Sequence, residues 1–251
     1  MEEIKRLKEI IESSDNIVFF GGAGVSTESG IRDFRGKNGI YTDFKSEDPL
    51  ETPESLLSAG CLYAAPEKFY ANFRKNLNCL DAEPNITHYY LKALEDTGKL
   101  KAIVTQNIDG LHQKAGSTHV YEIHGTMAEC HCDECEKRYP GRIIFETEGI
   151  PRCECGGMLR PDVVLYGEWL PQAYSLALSY IYKSDVLLVA GTSLKVEPAS
   201  GMVRLYRGKH MVIINEQVTP YDSSAELVIH RPLGEVFGAL MYEWEGEKHE
   251  V

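Results

Sequence analysis

The sequence predicts an α/β fold, a doubly wound parallel sheet carrying a smaller domain, and three observations predict it. Short apolar runs, several of them without polar alternation, recur at 16–20, 101–105, 120–124, 185–190, 210–215 and 226–230. Such runs are what strands covered on both faces require. Helix-patterned stretches, as at 87–99 and 171–183, separate them in the rhythm of strand–helix–strand crossovers. Finally, five of the seven cysteines crowd between Cys130 and Cys155, where apolar periodicity fades, as in a small metal-stapled module.

Taken in order, the chain opens on a charged amphipathic helix with Ile4, Leu7, Ile10 and Ile11 on one face, unlike the basic-then-apolar layout of an export signal. The first strand ends in Gly21, Gly22 and Gly24, where backbone can approach a pyrophosphate and the following helical turn can offer amides. A ligand-free tight turn would use the same glycines, Thr27 stands where the usual fingerprint has its third glycine, and no acid-ended strand follows about 20 residues on. From Arg35 to about Asn78 an insertion interrupts the rhythm, aromatic and helical, punctuated by Pro49, Pro53 and Pro66. A second interruption runs from Gly125 to about Pro161. The expected division is therefore 1–34, 79–124 and 162–251 for a Rossmann-like dinucleotide-binding domain, 35–78 for a helical insertion, and 125–161 for a metal module of zinc-ribbon type.

Composition excludes some functions. With 26 basic against 38 acidic residues the net charge is −12, which repels a nucleic-acid backbone or an anionic membrane and tolerates a lysine-rich peptide. The apolar runs fall far short of the roughly 20 residues that span a bilayer. These features predict a cytoplasmic enzyme, expected to be monomeric, with no nucleic-acid or membrane partner. Cysteine usage points to a metal site and away from a disulfide framework. Cys132-Asp-Glu-Cys135 and Cys153-Glu-Cys155 approach the four-thiolate pattern of closed, structural zinc, which leaves no position for a catalytic water. The second pair is one residue tighter than usual, and Cys130 is an alternative ligand; Cys61 and Cys79 read as buried, reduced thiols.

Several motifs in order carry a family resemblance. Gly22-Ala-Gly-Val-Ser26, Ser29-Gly-Ile-Arg-Asp-Phe-Arg35, Thr105-Gln-Asn-Ile-Asp-Gly-Leu-His112, Glu122-Ile-His-Gly125, Arg160-Pro-Asp-Val-Val-Leu-Tyr-Gly-Glu168, Gly191-Thr-Ser-Leu194 and Ile213-Ile-Asn215 together resemble the sirtuin family over about residues 16–238. The resemblance implies NAD-dependent removal of acetyl groups from lysines of proteins or peptides, NAD being consumed as co-substrate. The products are free lysine, nicotinamide and O-acetyl-ADP-ribose.

It also implies roles for residues. His124 matches the general base, a task suited to an imidazole near neutral pH. Asn107 and Gln106 match ribose-facing positions, Asn107 with a catalytic part. Ile108 and Asp109 match the nicotinamide carboxamide site. Ala23 and Thr27 match the pyrophosphate turn; Phe34 would shield the reacting ribose carbon and Arg35 serve the phosphates. Thr192 and Ser193 match phosphate and ribose contacts, Asn215 the adenosine ribose, and Leu233 the adenine end. Val164, Gly167, Glu168, Leu194 and Val196 match the segments between which a substrate peptide lies as an added strand.

Two departures carry expectations. Arg32 replaces the family's usual proline, so the loop loses a fixed φ and is expected to be more mobile before NAD binds. Relatives that remove acidic acyl groups carry Tyr-x-x-Arg in the helical insertion. Here Tyr70 is followed at that spacing by Phe73, with Arg74 about 100° further round the helix, which favours a neutral acyl group. ADP-ribosyl transfer shares the NAD chemistry, but the peptide-laying motifs favour deacylation. An NAD-sensing binding module would lack His124 or Asn107, and an ordinary oxidoreductase would have the full glycine fingerprint.

Overall fold

The computed structural model describes residues 2–37, 39–46, 48 and 50–249. Its strands are β1 (Ile17–Gly21), β2 (Leu100–Thr105), β3 (Val120–Glu122), β4 (Gly125–Cys132), β5 (Arg138–Pro140), β6 (Leu159–Val163), β7 (Val186–Ala190), β8 (His210–Ile214) and β9 (Leu227–Ile229). Its helices are α1 (Glu2–Glu12), α2 (Pro53–Leu56), α3 (Ala59–Ala64), α4 (Pro66–Leu77), α5 (Ile86–Asp96), α6 (Leu111–Lys114), α7 (Arg142–Glu146), α8 (Gln172–Lys183), α9 (Ala199–Val203) and α10 (Leu233–His249).

Six strands form one sheet in the order β3-β2-β1-β7-β8-β9, every pair parallel. Helices cover both faces. On one side Ile4, Leu7, Ile10 and Ile11 of α1, Leu91 and Leu94 of α5 and Val236 and Phe237 of α10 pack on Ile17, Phe19 and Leu188. On the other, Ala177 and Ile181 of α8 and Met202 of α9 pack on Val18, Phe20 and Val189. The alternate residues of β1 thus feed opposite cores, which is why its run has no polar member. Strand order reverses between β1 and β7, and their carboxyl ends, Gly21 and Ala190, stand side by side. A crevice there is where an open α/β sheet binds ligands.

The smaller domain joins both interruptions. The antiparallel sheet β5-β4-β6 shares one apolar cluster with the helical insertion, in which Leu62, Phe69, Tyr70 and Phe73 meet Met127, Ile144 and Leu159. Pro53 and Pro66 each occupy the first turn of a helix, where the missing N–H costs nothing; Pro49 lies outside the described residues. No helix among the described residues is long and apolar enough to cross a membrane.

Candidate active site

A cleft of about 910 Å³ opens at the strand-order reversal and runs out between the two domains. Its glycine turn is shaped by a neighbouring loop. Gly22 N–H donates to Ala190 O at 3.2 Å and Gly24 N–H to Gly191 O at 2.8 Å. A Cβ on Gly24 would stand 2.7 Å from Gly191 Cα, so the glycine lets two backbone turns touch. Thr192, at the second turn, accepts a 3.0 Å hydrogen bond from Gln106 Nε2, tying the ends of β2 and β7 together.

The cleft floor is a buried polar network. Ser26, 1% exposed, donates from Oγ to Asp109 Oδ2 at 2.7 Å and accepts from Asn107 Nδ2 at 3.0 Å. Leu111 N–H donates to Asp109 Oδ1 at 2.9 Å. Burial pushes the Asp109 carboxyl above its usual range, with the hydrogen bonds from Leu111 and Ser26 opposing it. Ser26 is the residue that sequence reasoning underused: it was legible only as a motif letter, since 83 positions separate it from Asp109.

His124 lies just beyond β3, half-buried in the cleft wall. Its Nδ1 is 3.0 Å from Gln106 O, and because a carbonyl only accepts, Nδ1 carries the proton and Nε2 keeps a free lone pair. Burial lowers its pKa, against a smaller raising effect of the bond to Gln106. The next residue must be glycine: Gly125 has φ +78°, and a Cβ there would lie 2.2 Å from Asp162 O. Immediately beside it, Val164 N–H donates to His124 O at 2.8 Å, so the imidazole and the 163–168 segment are registered through one backbone bond.

Every other residue singled out for cofactor or peptide lines this same cleft, from Ala23, Thr27, Phe34 and Arg35 to Asn215 and Leu233, and from Val164, Gly167 and Glu168 to Val196. Leu194 alone among the residues singled out is absent from the lining. Its side chain is 3% exposed and packs with the α8–α9 core, so any contact it makes with a peptide is through its backbone. That backbone holds a positive φ of 52°, an uncommon conformation for leucine. Cys79 is a small correction: half-buried, it lines the cleft. Cys61 is half-buried as well.

Arg32 gives up proline's fixed φ, yet its guanidinium bonds Gly39 O at 3.3 Å and pairs with the Asp43 carboxylate, bracing the loop from its own far end. Arg35 rests 4.8 Å over the Tyr41 ring and meets Glu54 at 3.4 Å, while Phe34 sets its ring edge-on to Tyr41. On α4, Arg74 bonds Ile144 O at 2.6 Å and also Gly149 O, and Tyr70 donates to Leu159 O at 2.6 Å. Both stitch α4 to the metal module. The helix offers the cleft only Phe73, Asn76 and Leu77, all uncharged.

The four cysteine sulfurs expected as ligands lie within 4.8 Å of one another. Cys132 and Cys155 are 3.5 Å apart, Cys135 and Cys153 3.6 Å, and Cys135 and Cys155 3.5 Å. Tetrahedral zinc with Zn–S of about 2.3 Å sets its sulfurs roughly 3.8 Å apart, and a disulfide needs about 2 Å, so the donors fit zinc. Cys130 is excluded as a ligand: its Sγ is buried and directed at Pro140 O.

The model of the Sir2 family matches residues 22–198. This chain belongs to the Sir2 family. An NAD-dependent protein deacetylase of Clostridium perfringens is 47% identical over 96% of this chain and 99% of its own, and one of Cutibacterium acnes is 47% identical over 94% and 96%. Among solved structures, a Sir2 chain with deacetylated p53 peptide and 3'-O-acetyl-ADP-ribose superposes with a TM-score of 0.87 at 35% identity, covering 96% of this chain and 98% of that one. A Sir2 complex with p53 peptide and NAD gives 0.85 at 34% identity, with the same coverage. Membership of the Sir2 family accounts for the order of the motifs and for both domains, since the likeness spans nearly all of each relative.

Proposed function

We propose that this Sir2-family chain removes acetyl groups from lysines of proteins and peptides, consuming NAD and releasing nicotinamide, free lysine and O-acetyl-ADP-ribose. The observation that carries the reading is the placement of His124. Its free Nε2 faces a cleft shared by the glycine turn and by the segment bonded to its own carbonyl. In the reaction, the acetyl oxygen attacks the ribose carbon bearing nicotinamide, and nicotinamide leaves. Asp109 and Ile108 hold the departing carboxamide, while Asn107 and Gln106, being neutral, orient ribose hydroxyls or water without adding charge beside an oxocarbenium-like centre. The first step leaves an imidate in which the acetyl oxygen is bonded to the ribose carbon. His124 Nε2 then takes the proton of a ribose hydroxyl, that oxygen attacks the imidate carbon, and a water molecule completes the reaction by releasing lysine as the free amine with the acetyl group on the ribose.

Ala23, Thr27, Arg35, Thr192 and Ser193 serve the phosphates and ribose, Asn215 and Leu233 the adenosine, and Phe34 covers the reacting carbon. The peptide lies as a strand along Val164, Gly167 and Glu168 on one side and the Leu194 backbone and Val196 on the other. Cys132, Cys135, Cys153 and Cys155 hold zinc, which folds the small domain. The neutral α4 surface supports acetyl over acidic acyl groups. Base, cofactor cleft and lane come from one chain, which suits a monomer, and the unpaired cysteines suit the reducing cytoplasm. The division at 34/35, 78/79, 124/125 and 161/162 is our proposed domain boundary set.

Mass spectrometry of an acetyl-lysine peptide with and without NAD, beside a succinyl-lysine control, tests the reading. Acetyl loss only with NAD, and one nicotinamide per lysine freed, is the expected result. Nicotinamide release without acetyl loss would move the assignment to ADP-ribosyl transfer.

A further inference from the structure

We propose that Trp169, with Tyr166, forms a subsite that selects substrates carrying a large apolar residue near the acetyl-lysine; this rests on the peptide lane proposed above. Trp169 is 97% exposed and Tyr166 38%, both on the loop that follows β6 and both at the cleft. An indole in full contact with water has no folding role, and removing it from water is what a bound side chain would accomplish. The loop that presents it is fixed. Tyr166 N–H donates to Leu57 O and Tyr166 O accepts from Ala59 N–H, each at 3.1 Å, and the Tyr166 and Tyr41 hydroxyls bond at 2.9 Å. The backbone at Tyr166 then has little ordering entropy left to lose on binding, and the main ordering cost is that of the Trp169 ring itself.

The chemistry of the ligand follows from the charges around the ring. Glu168, its neighbour, is not available to a cation: Arg160 takes both its oxygens at 2.9 Å and Leu165 N–H bonds one of them at 2.8 Å. Glu197, also at the cleft, is held by Arg204 and by Gly201 N–H. Lys195 lines the opposite side of the lane and repels a basic residue. An exposed ring without a free carboxylate beside it favours an aliphatic or aromatic partner over Arg or Lys. In an extended peptide the acyl-lysine enters beside Val164, and a flanking residue, displaced by about 3.4 Å per position, is what reaches the ring.

The test compares the intact protein with Trp169→Ala and Trp169→Phe, using acetyl-lysine peptides that place Leu, Phe, Arg or Ala within three positions of the modified lysine. Binding is measured directly by calorimetry, apart from turnover. We expect Kd for the Leu and Phe peptides to weaken about ten- to thirtyfold in Trp169→Ala. Trp169→Phe should recover most of this, while the Ala peptide and NAD stay within twofold and kcat is unchanged. Equal weakening for all four peptides, or none, overturns the subsite; selective loss of the Arg peptide replaces it by a cation-binding ring. Failure of the wild type to turn over any peptide that it binds counts against the deacetylase reading and leaves the binding comparison to decide the subsite.

Discussion

Removing the Ser26 hydroxyl probes the polar floor of the cleft with a change of one atom. In Ser26→Ala, Asp109 loses a 2.7 Å hydrogen bond and Asn107 a 3.0 Å one. A hydrogen bond to a charged group is worth about 1.5–3 kcal/mol and a neutral one about 0.5–1.5 kcal/mol, so an unrelieved loss reaches about 2–4.5 kcal/mol. Relief is uneven. Asp109 lines the cleft and can recruit water, whereas Asn107, 9% exposed, has little access. We therefore expect about 2 kcal/mol to be lost where these groups meet NAD, roughly a thirtyfold fall in kcat/KM.

Because Ser26 does not belong to the peptide lane, the loss should fall on kcat and on the KM for NAD and leave the KM for peptide within twofold. A second signature concerns pH. Burial already raises the Asp109 carboxyl, and losing the Ser26 bond raises it further. If the carboxylate is the working form, the acid limb of the pH–rate profile moves to higher pH in the variant. Steady-state kinetics from pH 5 to 9 with a thermal melt as folding control would decide. A folded variant with kcat/KM within threefold of wild type, and an unmoved acid limb, would refute the reasoning.

Other predictions follow from the same geometry. His124→Ala should abolish deacetylation and leave NAD affinity within a few-fold; normal turnover would remove the general-base assignment. In the wild type the limb attributable to His124 should lie below pH 6.5, because burial favours the neutral imidazole that a base requires. The matching stability term is fully present above pH 6.5 and is lost as pH falls through the depressed folded value, so a limb above pH 7 would contradict it. Cys135→Ala should lose the metal and lower the melting temperature, measured by elemental analysis and calorimetry, and a stable, metal-free, fully active variant would contradict structural zinc. Arg32→Ala should raise the KM for NAD no more than about fivefold with kcat unchanged, since its exposed pair with Asp43 is worth under about 1 kcal/mol.

The parallel sheet was legible because burial on both faces leaves no polar residue in β1 or β7, and helix α1 because its four isoleucine and leucine positions share one face. Strand β3 ends at Glu122, two residues short of the run that predicted it, because the chain turns at 123–124 into Gly125, whose φ is +78°. What the chain does not display is anything made by tertiary approach. The glycines of the turn read as room for pyrophosphate, and the structure adds that they let it touch Gly191. Leu194 read as a peptide contact by motif position, and what the motif could not display is that its side chain packs in the core and leaves the backbone to meet a peptide. Arg74 could be placed by helical angle, one step from the acyl-facing position, but its carbonyl partners belong to a module some 70 residues away.

That module's metal is remote from the chemistry and still bears on it, through one strand. Cys132 ends β4, and the residue before that strand is His124. Strand β4 bulges between Gly125 and Cys130, and the partners of its two ends, Val163 and Leu159, are four residues apart, so at about 3.4 Å per residue Gly125 and Cys132 lie only about 14 Å apart, still beyond a Debye length of about 8 Å. The link is mechanical. Strand β4 pairs with β6 from Gly125↔Val163 to Cys132↔Leu159, so the ladder that the metal closes at one end carries His124 and Val164 at the other. Leu159 O also anchors the Tyr70 hydroxyl of α4, whose next turn, at Phe73 and Leu77, walls the cleft. Loosening the cysteine cluster should therefore disturb base-to-lane register and the acyl wall together, raising the peptide KM before the NAD site on the far side of Gly21 is affected.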